Sequence, residues 1–377
     1  MLYKKHGETF LSCFLKKARI PLFATPILLL GLPLLGILVA GHPVQRYLEF
    51  PPKTLYVYPA GFSWTFFVFY SLVFSAMVLP VLVVAGRTLF RPRTPIVPRN
   101  AFPWWGWGGL ALNGVSWLAA WTRFDFFAFI QPHTFFPLWF SYILVINALC
   151  FRRDGACMLT RRPLYFCLLF PASAVFWWFF EYLNRFVQNW YYLGDAYGPL
   201  EYVGLASLSF STVLPAVLGT RDWLLGTRWI RKGFVIEPVA LPRMKKGAIV
   251  LFLFSTFGLF GIGIWPNLLF PLLWVSPLLI FLGLQVLTGE ASILSPLFQG
   301  DSRPIVSAAL AALICGVFWE MWNFYSLAKW VYRVPYVHRF EIFEMPILGY
   351  AGYLPFGLEC AVAGELLDRA IAKPFRY

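Results

Sequence analysis

Two carboxylates in this chain stand where carboxylates are costly. Phe318-Trp319-Glu320-Met321-Trp322-Asn323 closes a strongly apolar run, and Phe179-Phe180-Glu181-Tyr182-Leu183-Asn184 closes another 139 residues earlier. An acid at the edge of a hydrocarbon-facing segment calls for a reason. In each copy the Glu and Asn are three apart and share a helix face. A neutral carboxyl beside a carboxamide suits either proton donation or the joining of helices. Aromatic pairs follow, Trp190 with Tyr191 and Trp330 with Tyr332, and then a second acid opens the next run, Glu201 or Glu344. The later copy continues through Tyr350 to Glu359, whereas the earlier has no acid there. The candidate acids and bases are therefore Glu320, Glu344, Glu359, Glu181 and Glu201. Asn323, Asn184, Trp319, Trp322, Trp330, Tyr332, Trp190 and Tyr350 are the candidates for holding a substrate. Lys329, His338 and Arg339 in the later loop, and Asp125 and His133 in the earlier one, could bind or polarise a ligand.

Other chemistries lack their residues. The sequence holds no His-x-x-x-His array, no His-Glu-x-x-His site, no phosphate loop and no Gly-x-Ser-x-Gly elbow. Its four His are scattered and no Cys pair has metal-finger spacing, so neither a metal nor a redox cofactor is expected. Acid chemistry by carboxylates survives this elimination. So does the bland alternative, in which the Glu and Asn side chains only join helices and the aromatics only anchor the interface.

The elements that must position these groups are read from hydropathy. The chain is 59% hydrophobic and only 13% charged, against about 25% charged in soluble domains. Apolar runs near the length of a membrane span recur throughout. Ten are expected, at 20–41, 62–86, 103–121, 135–151, 164–183, 199–218, 248–266, 267–288, 304–324 and 346–366. With a cytoplasmic N-terminus, 24 of the 31 Lys and Arg fall in inner segments, as the positive-inside rule requires. The net charge of +14 is thus topological, with attraction to lipid as a by-product and no nucleic-acid partner implied. Both termini are placed in the cytoplasm and the protein in the plasma (inner) membrane. The first run, preceded by Lys16, Lys17 and Arg19, reads as a retained anchor, and 10–15 as a stretch able to lie on the inner surface. His6 and His42 are expected at the surface. Gly258, Gly261 and Gly263 suggest close helix contact.

The motif is part of a longer echo. Pro137-Leu138-Trp139-Phe140-Ser141 is answered by Pro271-Leu272-Leu273-Trp274-Val275-Ser276, Gly155 by Gly289, and Arg162-Pro163 by Arg303-Pro304. These echoes keep their order, which argues for a duplicated unit. Four spans per unit is an even number, so the two units would share one orientation, related by an axis along the membrane normal. The expected organisation is an all-α polytopic protein: an N-terminal two-helix segment (1–99), a first four-helix repeat (100–218), a basic connector (219–247) and a second repeat (248–377).

The order of acid, Trp and Tyr, short loop, and acid with Pro at a span start is similar to the integral-membrane lycopene cyclase domain and its carotenoid-hydratase relatives. It is carried by Glu320, Asn323, Trp330, Tyr332, Glu344 and Pro346, and by Glu181, Asn184, Trp190, Tyr191, Pro199 and Glu201. The resemblance implies a cofactor-independent enzyme acting on an isoprenoid. In such an enzyme Glu320 would protonate a terminal alkene, Trp319, Trp322 and Trp330 would line the cation, and Glu344 or Glu359 would take the leaving proton. Two other readings stay open: a proton- or cation-coupled transporter using the same acids, and a scaffold subunit with a membrane-protein partner. An enclosed aromatic pocket opening to lipid beside Glu320 would favour the enzyme, and a polar passage between the halves would favour transport. Filled, well-packed helices with each acid hydrogen-bonded would support the scaffold.

Overall fold

In the computed structural model, 72% of the chain is helical, and the structure describes residues 10–89, 99–194, 197–238 and 241–372. The side chains of 10–24, 88–89 and 241–244 are not among those described; His6, Arg91 and Arg93 lie outside the described residues. Each apolar run holds a helix: α1 (Phe10–Val39), α2 (Trp64–Leu89), α3 (Trp104–Trp121), α4 (Phe135–Asp154), α5 (Pro163–Val187), the pair α6 (Pro199–Phe210) and α7 (Val213–Leu225), α8 (Leu241–Gly261), α9 (Leu272–Thr288), α10 (Arg303–Phe324) and α11 (Tyr353–Ala372). Five segments are long and apolar enough to cross a membrane: Trp64–Arg87, Phe135–Asp154, Pro163–Val187, Pro199–Leu225 and Arg303–Phe324. Thr25–Val39 and Leu272–Thr288 are shorter apolar helices. The chain is a helical membrane protein.

Residues 10–15 are the start of α1 rather than a separate surface helix. The run at 199–218 is broken where Pro215, which has no N–H, cannot bond back to Ser211. Ser173 of α5 bridges the break, its Oγ donating to the Phe210 carbonyl at 2.6 Å and accepting from the Leu214 N–H at 3.0 Å. The last run also starts differently from expectation. Residues 345–352 form a short strand and a 3-10 turn, and the helix begins only at Tyr353.

Helix contacts occur in matching sets. The helix α3 packs along α4 as α8 packs along α9, and α7 packs on α5 as α11 packs on α10. Across the molecule α10 meets α7 and α5 meets α11. Gly155 and Gly289 end α4 and α9 in the same left-handed cap, at φ +77° and +74°, a conformation without cost only for glycine. Close approach is needed at Gly357, where a Cβ would lie 2.0 Å from the Ala308 carbonyl oxygen of α10. Gly263 likewise sits against Pro33 of α1.

Two strands join the segments that follow α5 and α10. β1 (Trp190–Leu193) follows α5, β2 (Lys329–Tyr332) follows α10, and they pair antiparallel with Trp190 opposite Tyr332 and Tyr192 opposite Trp330. A second small hairpin joins β3 (Glu341–Ile342) to β4 (Met345–Pro346). The segment leading into α2 drapes over this end. There Gln188 Oε1 accepts the Tyr56 and Val57 N–H groups, both at 2.7 Å, and its Nε2 donates to the Thr54 carbonyl at 2.8 Å.

Candidate functional site

Side chains alternate along a strand, so Trp190 and Tyr192 share a face of β1, and Trp330 and Tyr332 share one of β2. Each strand is fixed by the Asn of its own motif. Asn184 Nδ2 donates to the Trp190 carbonyl at 2.8 Å while its Oδ1 accepts the Asn189 N–H at 2.8 Å. Asn323 Nδ2 donates to the Trp330 carbonyl at 2.7 Å while its Oδ1 accepts the Trp330 N–H at 2.9 Å. Both ends of each carboxamide are spent on backbone, so these residues position the strands rather than a substrate.

The carboxylates are held from the same strands. Glu181 Oε1 accepts Trp177 Nε1 at 2.9 Å, Trp190 Nε1 at 3.0 Å and Tyr192 OH at 2.6 Å. Glu320, with no exposed surface, accepts Tyr332 OH at 2.7 Å and Tyr353 OH at 2.6 Å on Oε1, and Trp330 Nε1 donates to Tyr332 OH at 2.7 Å. Its Oε2 has no partner. Burial pushes the phenols of Tyr192 and Tyr332 well above their ordinary range, so both are neutral donors to the carboxyl groups.

These donors wall a cavity of about 420 Å³, within the ~300–1,000 Å³ of small-molecule sites. Trp177, Trp190 and Tyr192 contribute from one side, and Trp319, Trp330, Tyr332 and Tyr353 from the other. Trp274 of α9 also reaches it, its ring 5.4 Å from Trp190 and stacked on Phe180 at 5.3 Å. The counterpart contact joins Trp139 and Trp319 at 4.9 Å. Tyr70, Val73, Phe74 and Met77 of α2 close the remaining side. Neither Glu181 nor Glu320 lines the cavity; their phenol and indole partners stand between.

The other candidates are spread out. Glu344, in the turn between β3 and β4, is paired with Lys329. Glu201 is exposed in the first turn of α6. Glu359 is buried on α11 against Leu278 of α9, outside the cavity wall. Trp322 does not line the cavity; it packs with Trp139, Trp117 and Phe318. Tyr350 donates to the Ile342 carbonyl at 3.0 Å and so secures the β3–β4 hairpin. Of the loop residues, Lys329 and His133 reach the cavity. His338 pairs with Glu341, Arg339 stacks over Phe62 and Trp64, and Asp125 is exposed. Among the described residues, no three His, Cys, Asp or Glu side chains are gathered as a metal site would need.

Three residues that hold the acids escaped the sequence reading. Trp177 precedes Glu181 by one helical turn, a spacing that could have found it. Tyr192 is the counterpart of Tyr332 once the two strands are aligned. Tyr353, 33 residues beyond Glu320, gives no local signal. No protein-family model, no curated protein and no solved structure matches the chain.

Proposed function

We propose that the chain is a ten-span membrane protein built from two four-helix repeats of like orientation behind two N-terminal helices, and that the cavity between the repeats is the site of an acid-catalysed isoprenoid cyclase or hydratase. The repeat is supported by the matched helix contacts, the paired glycine caps and the two Asn-held strands that meet antiparallel across an approximate two-fold axis. The basic loops at the end opposite the strands would lie in the cytoplasm with both termini.

The observation that carries the enzymatic reading is the aromatic wall in front of Glu320. A carbocation needs surroundings that stabilise positive charge and exclude bases, and indole and phenol faces do both. An apolar wall of this kind is unsuited to passing a hydrated ion, which weighs against cation transport. Tyr353 touches both the Glu320 carboxyl and the cavity. In the proposed step its phenol O–H adds a proton to a terminal alkene carbon, while the Glu320 carboxylic acid reprotonates the phenolate. The resulting cation is attacked by a second double bond of the same chain. Loss of a proton from the ring then returns it through Tyr353 to the Glu320 carboxylate, so the net change is an isomerisation without a co-reactant. In the hydratase variant, water adds to the cation and its proton is returned instead.

The copies are not equivalent in this scheme. Glu181 Oε1 already accepts three donors, which suits a supporting role, whereas Glu320 retains an unpartnered Oε2. Glu344 is engaged by Lys329 and Glu359 lies outside the cavity wall, so the returning proton is assigned to Glu320 itself. Lipid extracts from host cells carrying the wild type, Glu320→Gln or no protein, compared by mass spectrometry, test the reading. An isomerised or hydrated isoprenoid found only with the wild type supports it; identical extracts would sink it.

A further inference from the structure

Glu181 and Glu320 differ in one of the groups that hold them, and the difference is an exchange of side chains. Four residues before each acid stand Trp177 in α5 and Gly316 in α10. Nine residues after the next acid, Glu201 or Glu344, stand Phe210 and Tyr353. Beside Glu181, Trp177 Nε1 donates to the carboxyl at 2.9 Å, and the Phe210 ring lies 6.1 Å from the Trp177 ring. Beside Glu320, Tyr353 OH donates to the carboxyl at 2.6 Å. The Tyr353 ring takes the space over Gly316, where a Cβ would overlap ring atoms Cδ2 and Cε2. Glycine inside a helix is unfavourable and calls for a reason. The Tyr353 ring supplies one.

This exchange changes the chemistry available at each acid. An indole N–H only donates, whereas a phenol donates and accepts and so can pass a proton on. Tyr192 and Tyr332 reach the two acids in the same way, so they do not distinguish the sites. Trp177, Phe210 and Tyr353 all line the cavity, so both acids are backed onto one ligand space. What Glu181 lacks is a phenol in the place of Tyr353. Phe210 has the ring without the hydroxyl, and the Trp177 indole occupies the carboxyl in its stead.

Building on the repeat and the proton relay proposed above, we infer that Gly316 is the positioning residue that admits the Tyr353 phenol to Glu320, and that Trp177 and Phe210 keep an equivalent acid site at Glu181 dormant. Trp177→Gly with Phe210→Tyr would complete that second site. The phenol introduced at position 210 would give its proton to the alkene carbon, and the Glu181 carboxylic acid would reprotonate it. The proton lost from the cyclised cation would return by the same path, so no co-reactant is needed.

Membranes containing the full chain, supplied with geranylgeraniol, squalene and lycopene in D2O, test this by mass spectrometry; each probe carries a terminal trisubstituted alkene. Adding Trp177→Gly and Phe210→Tyr to Glu320→Gln should raise conversion about 100-fold or more, the lower end of what a positioned acid contributes. Further addition of Glu181→Gln should abolish that gain. Gly316→Ala should lower conversion as Tyr353→Phe does, and the two together should lower it no further. A swapped protein that folds yet converts no more than Glu320→Gln, or a gain that survives Glu181→Gln, overturns the dormant site. Thermal midpoints in detergent judge Gly316 without a substrate. Gly316→Ala should lower the midpoint with Tyr353 in place and leave it unchanged in a Tyr353→Ala background; equal losses in both overturn the positioning role. Should the swapped protein fail to fold, that comparison decides. If the wild type converts none of the probes, the isoprenoid reading falls and the dormant site with it, while the midpoints still judge Gly316.

Discussion

Trp190 lies opposite Tyr332 across the β1–β2 ladder, and the two residues serve different carboxylates: Trp190 donates to Glu181, Tyr332 to Glu320. The ladder thus ties the two acidic motifs into one unit, although 139 residues separate them in sequence. Whatever shifts one strand must disturb the donors of both acids.

The Asn caps are the first place to test that coupling. Asn323→Ala removes both hydrogen bonds that hold Trp330 and leaves its backbone groups unpaired. A loss of about 2–4 kcal/mol is expected for two such groups. The check is the thermal midpoint in detergent, which should fall for Asn323→Ala and fall less for Asn323→Asp, where the acceptor half remains.

Tyr353 separates binding from chemistry. Its phenol reaches Glu320 at 2.6 Å and also lines the cavity. Tyr353→Phe keeps the ring and removes the proton path, so conversion should drop by roughly 10²–10⁴-fold, the usual contribution of a positioned acid. Ligand binding by tryptophan fluorescence should stay within about 3-fold, since the wall is retained.

Gly357 tests the packing of α11 on α10. A methyl group there would sit 2.0 Å from a backbone oxygen, and nothing flexible can yield. Gly357→Ala should destabilise by about 3 kcal/mol or more, at the upper end of overpacking costs. Gly204 has open space around it, so Gly204→Ala should be neutral or stabilising by up to about 1 kcal/mol through helix propensity. Thermal midpoints of the two variants make the comparison.

The far end of the bundle carries a pH-dependent clamp. Arg303 bonds both oxygens of Asp301 and adds its own N–H at 3.0 Å, and these bonds hold the Asp301 carboxyl below its ordinary value. The stability this gives is complete above the unfolded pKa, about 3.9, and is lost as pH falls through the lower folded value. Because Arg303 is more than a third exposed, its size should be under about 1 kcal/mol. Asp301→Asn should therefore lower the midpoint slightly at pH 7, with the difference from wild type shrinking as the pH is taken below 4.

Much of this was written in local patterns. Hydropathy located the long helices of the described residues, five of them apolar enough to cross a membrane. The Glu-x-x-Asn motif and the aromatics after it pointed to residues that meet around one cavity, because buried polar groups are rare enough to stand out. What could not be read was long-range. Tyr353 reaches Glu320 only through the packing of α11 on α10, and the break at Ser211–Thr212 depends on Ser173 of another helix. Residues 345–352 are apolar enough to resemble a span start, yet β4 and a 3-10 turn take them. Tyr70, Phe74 and Met77 of α2 carry no sequence signal of their place in the wall, since hydropathy does not distinguish a cavity wall from a lipid contact. Glu344 and Glu359 carry the right chemistry at the right sequence distance, but Glu344 is engaged by Lys329 and Glu359 is buried outside the cavity wall.

The central claim, that Glu320 supplies a proton to an isoprenoid through the aromatic wall, is tested most directly by isotope transfer. Membranes containing the protein would be incubated with isoprenoid substrate in D2O buffer and the products weighed by mass spectrometry. The account predicts a product carrying deuterium at the protonated carbon with the wild type and with Glu181→Gln, where the carboxamide oxygen can still accept its donors, and no such product with Glu320→Gln. Deuterated product formed undiminished by Glu320→Gln, or no deuterium taken up by the wild type, would contradict it.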